Sequence, residues 1–306
     1  APGGQRLAAL VSQGARAALT GAIAAGDLPR AEEALDRLAA VAACHAESYA
    51  AAQIHAQGHL DLGWARRSAA ADAPDARGAW QGFLSHTAEA ERILDPFDPI
   101  AENSPLIAAT RYHLVRGLEE GESLFRDWYE DWCDLDPTCA EPHAAHAVHL
   151  LPNWYGRLDT FDAAARAAAR RTGDVTGAQA YAVFYLSAIE ALGDPPEGMD
   201  LGLFLRGLMD YHHVTGCQYR ANVVAAALTE RAVQLTEAAA PGALRLRAVL
   251  DLLEDHLTGT LREFHLPAWD QGETAIHWAL GQVFAGPLAQ GAHIHLGPEG
   301  LEARPG

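Results

Sequence analysis

Apolar residues recur at steps of three and four along almost the whole of this 306-residue chain, a spacing typical of amphipathic α-helices. The clearest example is a single face that consists of Leu28, Ala31, Leu35, Leu38 and Ala42. A second face of the same kind runs from Leu246 to Leu257. Because such faces are buried against other helices, we expect a fold built almost entirely of packed helices.

Composition agrees with this expectation, because alanine, the strongest helix former, accounts for 64 residues. The alternating pattern of a β-strand is nearly absent. It occurs near the end of the chain, where residues 293–296 and 301–303 flank the sequence Gly-Pro-Glu-Gly. This arrangement predicts a short C-terminal β-hairpin.

Glycine and proline divide the chain into about a dozen segments of helical length. One such signal is repeated, since Leu94-Asp95-Pro96 recurs 41 residues later as Leu135-Asp136-Pro137. Repeats of this size cannot bury their apolar faces alone and stack on one another. We therefore predict an all-α fold of stacked antiparallel helical hairpins, with a single α-solenoid domain over residues 1–290 and a hairpin or tail over residues 291–306.

The middle of the chain, roughly residues 43–191, resembles divergent bacterial proteins of the tetratricopeptide-repeat type. The resemblance rests on the turn Asp136-Pro137, a following helix with Ala145-His146, and the run Leu-Leu-Pro-Asn-Trp-Tyr-Gly over residues 150–156. Trp132 stands where the repeat consensus has a small residue, which favours a divergent repeat. The resemblance implies a right-handed α-solenoid that binds proteins, and it implies no catalytic residues.

All 22 basic residues are arginine, and the chain has no lysine. This excludes mechanisms that need a lysine amine, such as a Schiff base or the phosphate-binding lysine of a P-loop. The motifs G-x-S-x-G and G-x-G-x-x-G are absent as well. Since no catalytic residue and no cofactor is indicated, we expect a protein that binds rather than catalyses.

Charge and hydropathy indicate which partners and which cellular compartment to expect for the protein. The formal net charge of −18 disfavours nucleic-acid binding, which needs a clustered basic face. No apolar run approaches the length of about 18 residues that spans a bilayer, and the first residues lack the layout of a signal peptide. The four cysteines form no C-x-x-C pair. We therefore expect a cytoplasmic protein that binds neither membranes nor nucleic acids.

Aromatic and acidic residues are interleaved between Phe125 and Asp134. Trp128 and Trp132 lie one helical turn apart, and their neighbours include several carboxylates. One interpretation places this aromatic face in the core. The other exposes part of it in a groove, where tryptophan is a favoured contact residue and the carboxylates attract a basic partner.

From the second interpretation we predict a non-catalytic scaffold that binds a protein or peptide, basic in character, in an acidic, aromatic and concave groove. The predicted contacts with this partner are Trp128, Trp132, Glu130, Asp131, His143, His146 and Trp154.

The fifteen histidines leave open an alternative function as a metal-, haem- or small-molecule-binding helical enzyme. His55 and His59 have the i, i+4 spacing of a metal-chelating pair, although Ala56 replaces the glutamate of a zinc protease. The alternative interpretation is that both rings form hydrogen bonds to neighbouring helices.

Two further groups of histidines can also be interpreted either as a ligand site or as part of the packing between helices. His143, His146 and His149 follow at steps of three and spread over about 120° of a helix, which favours the lining of an inter-helix groove over a single ion. The run 210–213, followed by Cys217 and Tyr219, suits either a metal or haem site or an ordinary capped helix end.

Overall fold

The computed structural model describes residues 4–69, 76–237 and 243–306. Within these ranges the chain forms fifteen α-helices, two short 3₁₀-helices and one pair of β-strands. The α-helices are α1 (Gly4–Ala15), α2 (Ala17–Ala24), α3 (Leu28–Cys44), α4 (Tyr49–Ala69), α5 (Ala76–Leu94), α6 (Pro105–Leu114), α7 (Gly121–Leu135), α8 (Glu141–His149), α9 (Leu158–Thr176), α10 (Gln179–Leu192), α11 (Leu201–His213), α12 (Gln218–Glu237), α13 (Ala243–Gly259), α14 (Glu273–Val283) and α15 (Ala285–Ala289). The 3₁₀-helices are Val115–Gly117 and Leu266–Ala268.

The predicted C-terminal hairpin is confirmed. Strand β1 (Ala292–Leu296) pairs antiparallel with β2 (Leu301–Pro305), and Ile294 faces Ala303 across the ladder. At the turn, the amide of Gly297 donates to the carbonyl of Gly300 over 2.7 Å. The predicted all-α character is confirmed for the remainder of the described chain.

The two amphipathic segments identified from the sequence are both helices with a buried apolar face. In α3, the Asp27 side chain caps the first turn by accepting from the Arg30 amide at 3.1 Å, and Pro29 stands within that turn. The buried face of α3 comprises Ala31, Ala34 and Leu35, and that of α13 comprises Val249, Leu253, His256 and Leu257.

Both Leu-Asp-Pro signals mark helix ends. Helix α5 ends at Leu94, which is 1% exposed, and α7 ends at Leu135. After the second signal, the Asp136 carboxylate accepts from the amide and hydroxyl of Thr138, at 3.2 and 2.7 Å. The sequence therefore located two real helix boundaries, whereas the solenoid arrangement inferred from them stays a prediction.

The described chain divides into two compact units. Unit 1 comprises the residues up to Pro142 together with Pro152–Tyr155, and unit 2 comprises His143–Leu151 together with the residues from Gly156 onward. The single domain expected over residues 1–290 stays a prediction.

Unit 1 contains a close approach of α4 and α5. A Cβ atom added at Gly63 of α4 would lie 3.1 Å from the Cβ of His86 on α5. The two helices run antiparallel, since His59 of α4 contacts His86 whereas Trp64 contacts Phe83. This contact brings the histidine and aromatic side chains of both helices together.

Unit 2 has an aromatic core around α9 and α10. The rings of Phe161 and Tyr185 meet edge to face, with centroids 5.4 Å apart. The hydroxyls of Tyr181 and Tyr185 both donate to Asp162, at 2.6 and 3.1 Å. These bonds allow the tyrosine rings to be buried without leaving their polar atoms unsatisfied.

In the described ranges no single helix has both the length and the apolar character needed to cross a bilayer. The segments Leu7–Ala15 and Ala17–Ala24 meet that requirement only as a joined pair, and they are bent by 66° relative to each other.

Candidate functional site

An acidic and aromatic cavity of about 500 Å³ lies within unit 2. Helices α10, α12 and α14 and the segment before α14 supply its walls. Its apolar surface comes from Leu186, Ile189, Val223, Val233, Trp269 and Trp278, and Tyr219 also lines it. We call this space the acidic cavity. Cavities of this size with aromatic walls are typical of ligand sites.

One buried asparagine fixes the aromatic wall. The side-chain oxygen of Asn222 on α12 accepts from the indole nitrogen of Trp269 and from the amide of His265, both at 2.9 Å. Its amide nitrogen donates to the carbonyl of Glu263, also at 2.9 Å. Asn222 is 0% exposed, and Trp269 is 3% exposed. These three hydrogen bonds fix the position of the Trp269 ring within the wall.

Among the described residues that line the acidic cavity, those with a charge are all carboxylates: Glu190, Glu230, Glu237 and Asp270. Burial, followed by the nearby charges of Asp270 and Asp194, raises the pKa of Glu230. A cation placed beside these groups would relieve their mutual repulsion. The chemistry of the cavity thus favours a ligand that is positively charged and partly apolar.

Trp132, one of the predicted partner contacts, belongs instead to the core of unit 1. It is 1% exposed, and its ring lies 5.8 Å from each of the rings of Tyr112 and His113. The groove assignment of Trp132 is therefore corrected, because no partner reaches a side chain at this depth. The core interpretation of the aromatic run describes this residue correctly.

The histidines of α8 are corrected in the same way. His143 is 0% exposed, His146 is 7% exposed and His149 is 0% exposed. The rings of His143 and His146 lie 6.4 and 6.1 Å from the ring of Phe184. Burial lowers the pKa of His143 to about 3, so its ring is neutral at physiological pH. His143 and His146 are core residues rather than surface contacts.

The remaining predicted contacts lie in unit 1 and keep part of their surface. Trp128, Glu130, Asp131 and Trp154 are all half-buried. Trp128 packs against the apolar cluster that contains Leu94. A role for these four residues in partner binding stays a prediction.

Three histidines form a row between α4 and α5. The Nε2 atom of His59 is 3.2 Å from the Nε2 atom of His55, and its Nδ1 atom is 3.0 Å from the Nδ1 atom of His86. Burial, together with the charges of the two neighbouring rings, lowers the pKa of His59 to about 4. Burial lowers the pKa of His55 and of His86 as well. The histidine row is therefore neutral at pH 7.

The geometry of the histidine row limits how many ligands the predicted metal pair, His55 and His59, could share with its neighbours. The two nitrogens of His59 face different neighbours, so the three rings do not converge on one point. In the described part of the chain, no three His, Cys, Asp or Glu side chains are placed to share one ion. Metal binding by His55 and His59 stays a prediction and would rest on these two ligands.

The third histidine group is tied to the structure of unit 2. The Asp210 carboxylate accepts from the amide of Ala178 at 2.7 Å. His212 is 9% exposed and meets the ring of His256 edge to face, with centroids 5.6 Å apart. His256 in turn lies 2.9 Å from the carbonyl of Ala221. These contacts match the interpretation as a helix end and its packing.

Sequence reasoning missed the acidic cavity. Its carboxylates come from α10, α12 and the segment before α14, which are distant in the sequence. A local signal existed in Trp269-Asp270, an aromatic residue beside a carboxylate, followed by Trp278. That pair alone does not indicate which helix it faces, so the cavity required the tertiary structure.

No protein-family model matches this chain, and neither a curated protein nor a solved structure shows significant similarity to it.

Proposed function

We propose that this chain is a non-catalytic helical scaffold that binds a protein or peptide partner through a basic segment. The single observation that carries the proposal is the acidic cavity of unit 2, which combines an aromatic wall with carboxylates. The sequence also predicted a basic partner at an acidic and aromatic site. The site that we propose is a different one, the acidic cavity of unit 2. We further propose that the helices stack in the manner of a divergent tetratricopeptide-type solenoid in a cytoplasmic protein.

The chemistry of the cavity supports a basic segment over other ligands. Its lining includes neither arginine nor histidine among the described residues, so nothing there neutralises an anion. An arginine side chain stacks on tryptophan, here the half-buried Trp278, and donates to carboxylates with the same planar group. Arginine next to an apolar residue would therefore occupy both parts of the cavity.

Peptides of opposite charge test this proposal. We expect a labelled peptide of alternating arginine and leucine to bind the purified chain, as followed by fluorescence anisotropy. A peptide of alternating glutamate and leucine should not bind, and added salt should weaken the complex because it screens the charges. Equal affinity for both peptides would contradict the proposal.

Substitutions then locate the binding site. The double substitution Glu230→Gln and Asp270→Asn should weaken binding of the arginine peptide by about tenfold or more, or ~1.4 kcal/mol. The matched control is Glu254→Gln with Asp255→Asn, which removes the same charge from the exposed side of α13. If the control weakens binding as much as the cavity variant, attraction by the whole acidic surface explains the result and the proposed site is wrong.

The histidine row supports the second candidate, a helical enzyme that uses a metal, haem or small molecule. The observation in its favour is the short distance of 3.2 Å between ring nitrogens of His55 and His59. Metal analysis of the purified chain separates the candidates. Zinc, iron or haem that remains in stoichiometric amount after chelation, and is lost in His59→Gln, would favour this enzyme over the scaffold.

A further inference from the structure

Two arginines of unit 1 lie against the same tryptophan rings. The Cζ atom of Arg67 is 4.9 Å from the ring centroid of Trp64 and 5.8 Å from that of Trp154. The Cζ atom of Arg116 is 5.5 Å from Trp64 and 4.4 Å from Trp154. Trp80 also lies 4.5 Å from the Cζ atom of Arg67. We call these five residues the arginine cluster.

The arginine cluster has no counter-charge among the described residues. The Nη1 atom of Arg67 and the Nε atom of Arg116 are buried and have no hydrogen-bond partner in that part of the chain. Burial and the charge of Arg67 lower the pKa of Arg116, and the opposing influences on it come from Tyr112 and Tyr155 rather than from a carboxylate. This is unexpected in a chain with 40 acidic and 22 basic residues.

The adjacent arginine shows the more usual arrangement. Arg66 forms an ion pair with Glu32. Two consecutive residues of α4 therefore differ, since one guanidinium is neutralised by the protein and the other is held against indole rings. The contrast makes Arg66 a matched reference for Arg67.

Stacking on an aromatic ring does not satisfy the hydrogen-bonding edge of a guanidinium. Aromatic rings cover its faces, whereas its five N–H groups point outward in its plane. Two positive charges in a low-dielectric setting repel each other, and a buried donor without an acceptor costs about 1–3 kcal/mol. An anion that accepts from both edges removes both costs.

We propose that the arginine cluster binds a phosphate-type dianion, either free or as a phosphomonoester. Such a group has nearly two negative charges at neutral pH and three strong acceptor oxygens, which match two guanidiniums. A carboxylate offers only one charge. This site is separate from the acidic cavity, which belongs to unit 2 and attracts the opposite charge.

Calorimetric titration of the full chain at pH 8 and constant ionic strength tests the proposal with three probes: inorganic phosphate, phosphoserine and acetate. We expect saturable binding of one phosphate or phosphoserine per chain, and binding of acetate weaker by about tenfold or more. Phosphate should also raise the Tm, because a ligand that binds only the folded state stabilises it. The absence of saturable phosphate binding, or equal binding of acetate, would overturn the proposal.

Substitutions assign the binding to the cluster. Arg67→Gln and Arg116→Gln should each weaken phosphate binding by about tenfold or more, whereas the control Arg66→Gln should bind as the wild type does. Should Arg116→Gln unfold, as judged by circular dichroism, Arg67→Lys replaces it, because lysine keeps the charge but lacks the planar donor edge. Wild-type affinity in folded Arg67→Gln would place the phosphate elsewhere and refute the assignment.

Discussion

The acidic cavity of unit 2 and the arginine cluster of unit 1 place opposite charges on similar aromatic frameworks. In the cavity, the buried Trp269 is fixed by its indole nitrogen, which donates to Asn222, and the half-buried Trp278 and the carboxylates line the same space. In the cluster, the faces of Trp64 and Trp154 contact the guanidiniums directly. Tryptophan thus forms part of a hydrogen-bonded wall in the cavity, whereas in the cluster it stacks on charged side chains.

The difference shows that net charge does not determine the local field. A chain of formal charge −18 still contains a site where two arginines lie against the same tryptophans, and no carboxylate of the described residues is among the charges that shift the pKa of Arg116. Local potentials depend on which charged side chains the fold brings together. Partner class therefore has to be inferred site by site rather than from the composition of the whole chain.

The largest effect is expected from Asn222→Ala, which tests whether the wall of the acidic cavity is held by this one residue. The substitution leaves the indole nitrogen of Trp269 and the amide of His265 without their acceptor. We expect the free energy of unfolding to fall by about 2–4 kcal/mol, because buried donors lose their partner. Chemical denaturation measures this change.

The control for that experiment is Asn153→Ala, which removes an exposed asparagine in unit 1 and should have little effect. If Asn222→Ala unfolds at the same denaturant concentration as the wild type, the wall does not depend on this network. Hydrogen bonding of the tryptophan would then not distinguish the acidic cavity from the arginine cluster.

Acid is the next test, because each unit contains a histidine whose pKa is lowered. The pKa values of His59 in unit 1 and His256 in unit 2 are both lowered to about 4, mainly by burial. The unfolded chain takes up these protons near pH 6.5, before the folded chain does. Stability is therefore retained above about pH 6.5 and lost as the pH falls toward 4.

The expected slope is up to ~1.4 kcal/mol per pH unit for each such histidine. Denaturation curves between pH 7 and pH 4 measure it, and His256→Gln should flatten the profile more than His295→Gln, which alters an exposed residue of β1. Identical profiles for both variants would show that His256 does not contribute. Comparing His59→Gln with His256→Gln then indicates which of these two histidines contributes more to the loss of stability in acid.

The smallest effect is expected at the contact between α4 and α5 that supports the arginine cluster. An alanine at Gly63 places its Cβ 3.1 Å from the Cβ of His86 and 3.5 Å from the ring of Phe83. We expect Gly63→Ala to destabilise the chain by about 1 kcal/mol, since overpacking exceeds the gain in helix propensity. Thermal denaturation measures this effect.

Gly82→Ala on α5 is the matched control, because nothing lies within 4 Å of the added Cβ. There the better helix propensity of alanine should raise stability by up to about 1 kcal/mol. Stabilisation by both substitutions would mean that α4 and α5 do not need their close approach, and that Trp64 and Trp80 are positioned in another way.

The helices and the hairpin were predictable because their signals are local. The apolar face that begins at Leu28 and the alternation from His293 to Leu296 each specify one element without reference to the rest of the chain. The boundaries at Leu94 and Leu135 follow from a proline two residues later in the sequence. Local periodicity and punctuation carry enough information for such elements.

The sites were not predictable for the converse reason. Arg67 and Trp154 meet only through the tertiary structure, and Trp132 is buried although Asp131 beside it in the sequence is acidic. Sequence neighbours on a helix point to different sides, so the carboxylate of Asp131 says little about the surroundings of Trp132. How deeply a side chain is buried depends on the helices packed around it, and the sequence of one helix does not specify this.

The histidine row has a consequence for how protons are arranged in unit 1. A neutral imidazole carries a single N–H, so in these two hydrogen bonds His59 donates to one neighbour and accepts from the other. The row then has a direction, pointing from His55 to His86 or the reverse. Reversing it requires all three rings to exchange tautomers together, which makes the row a single two-state element.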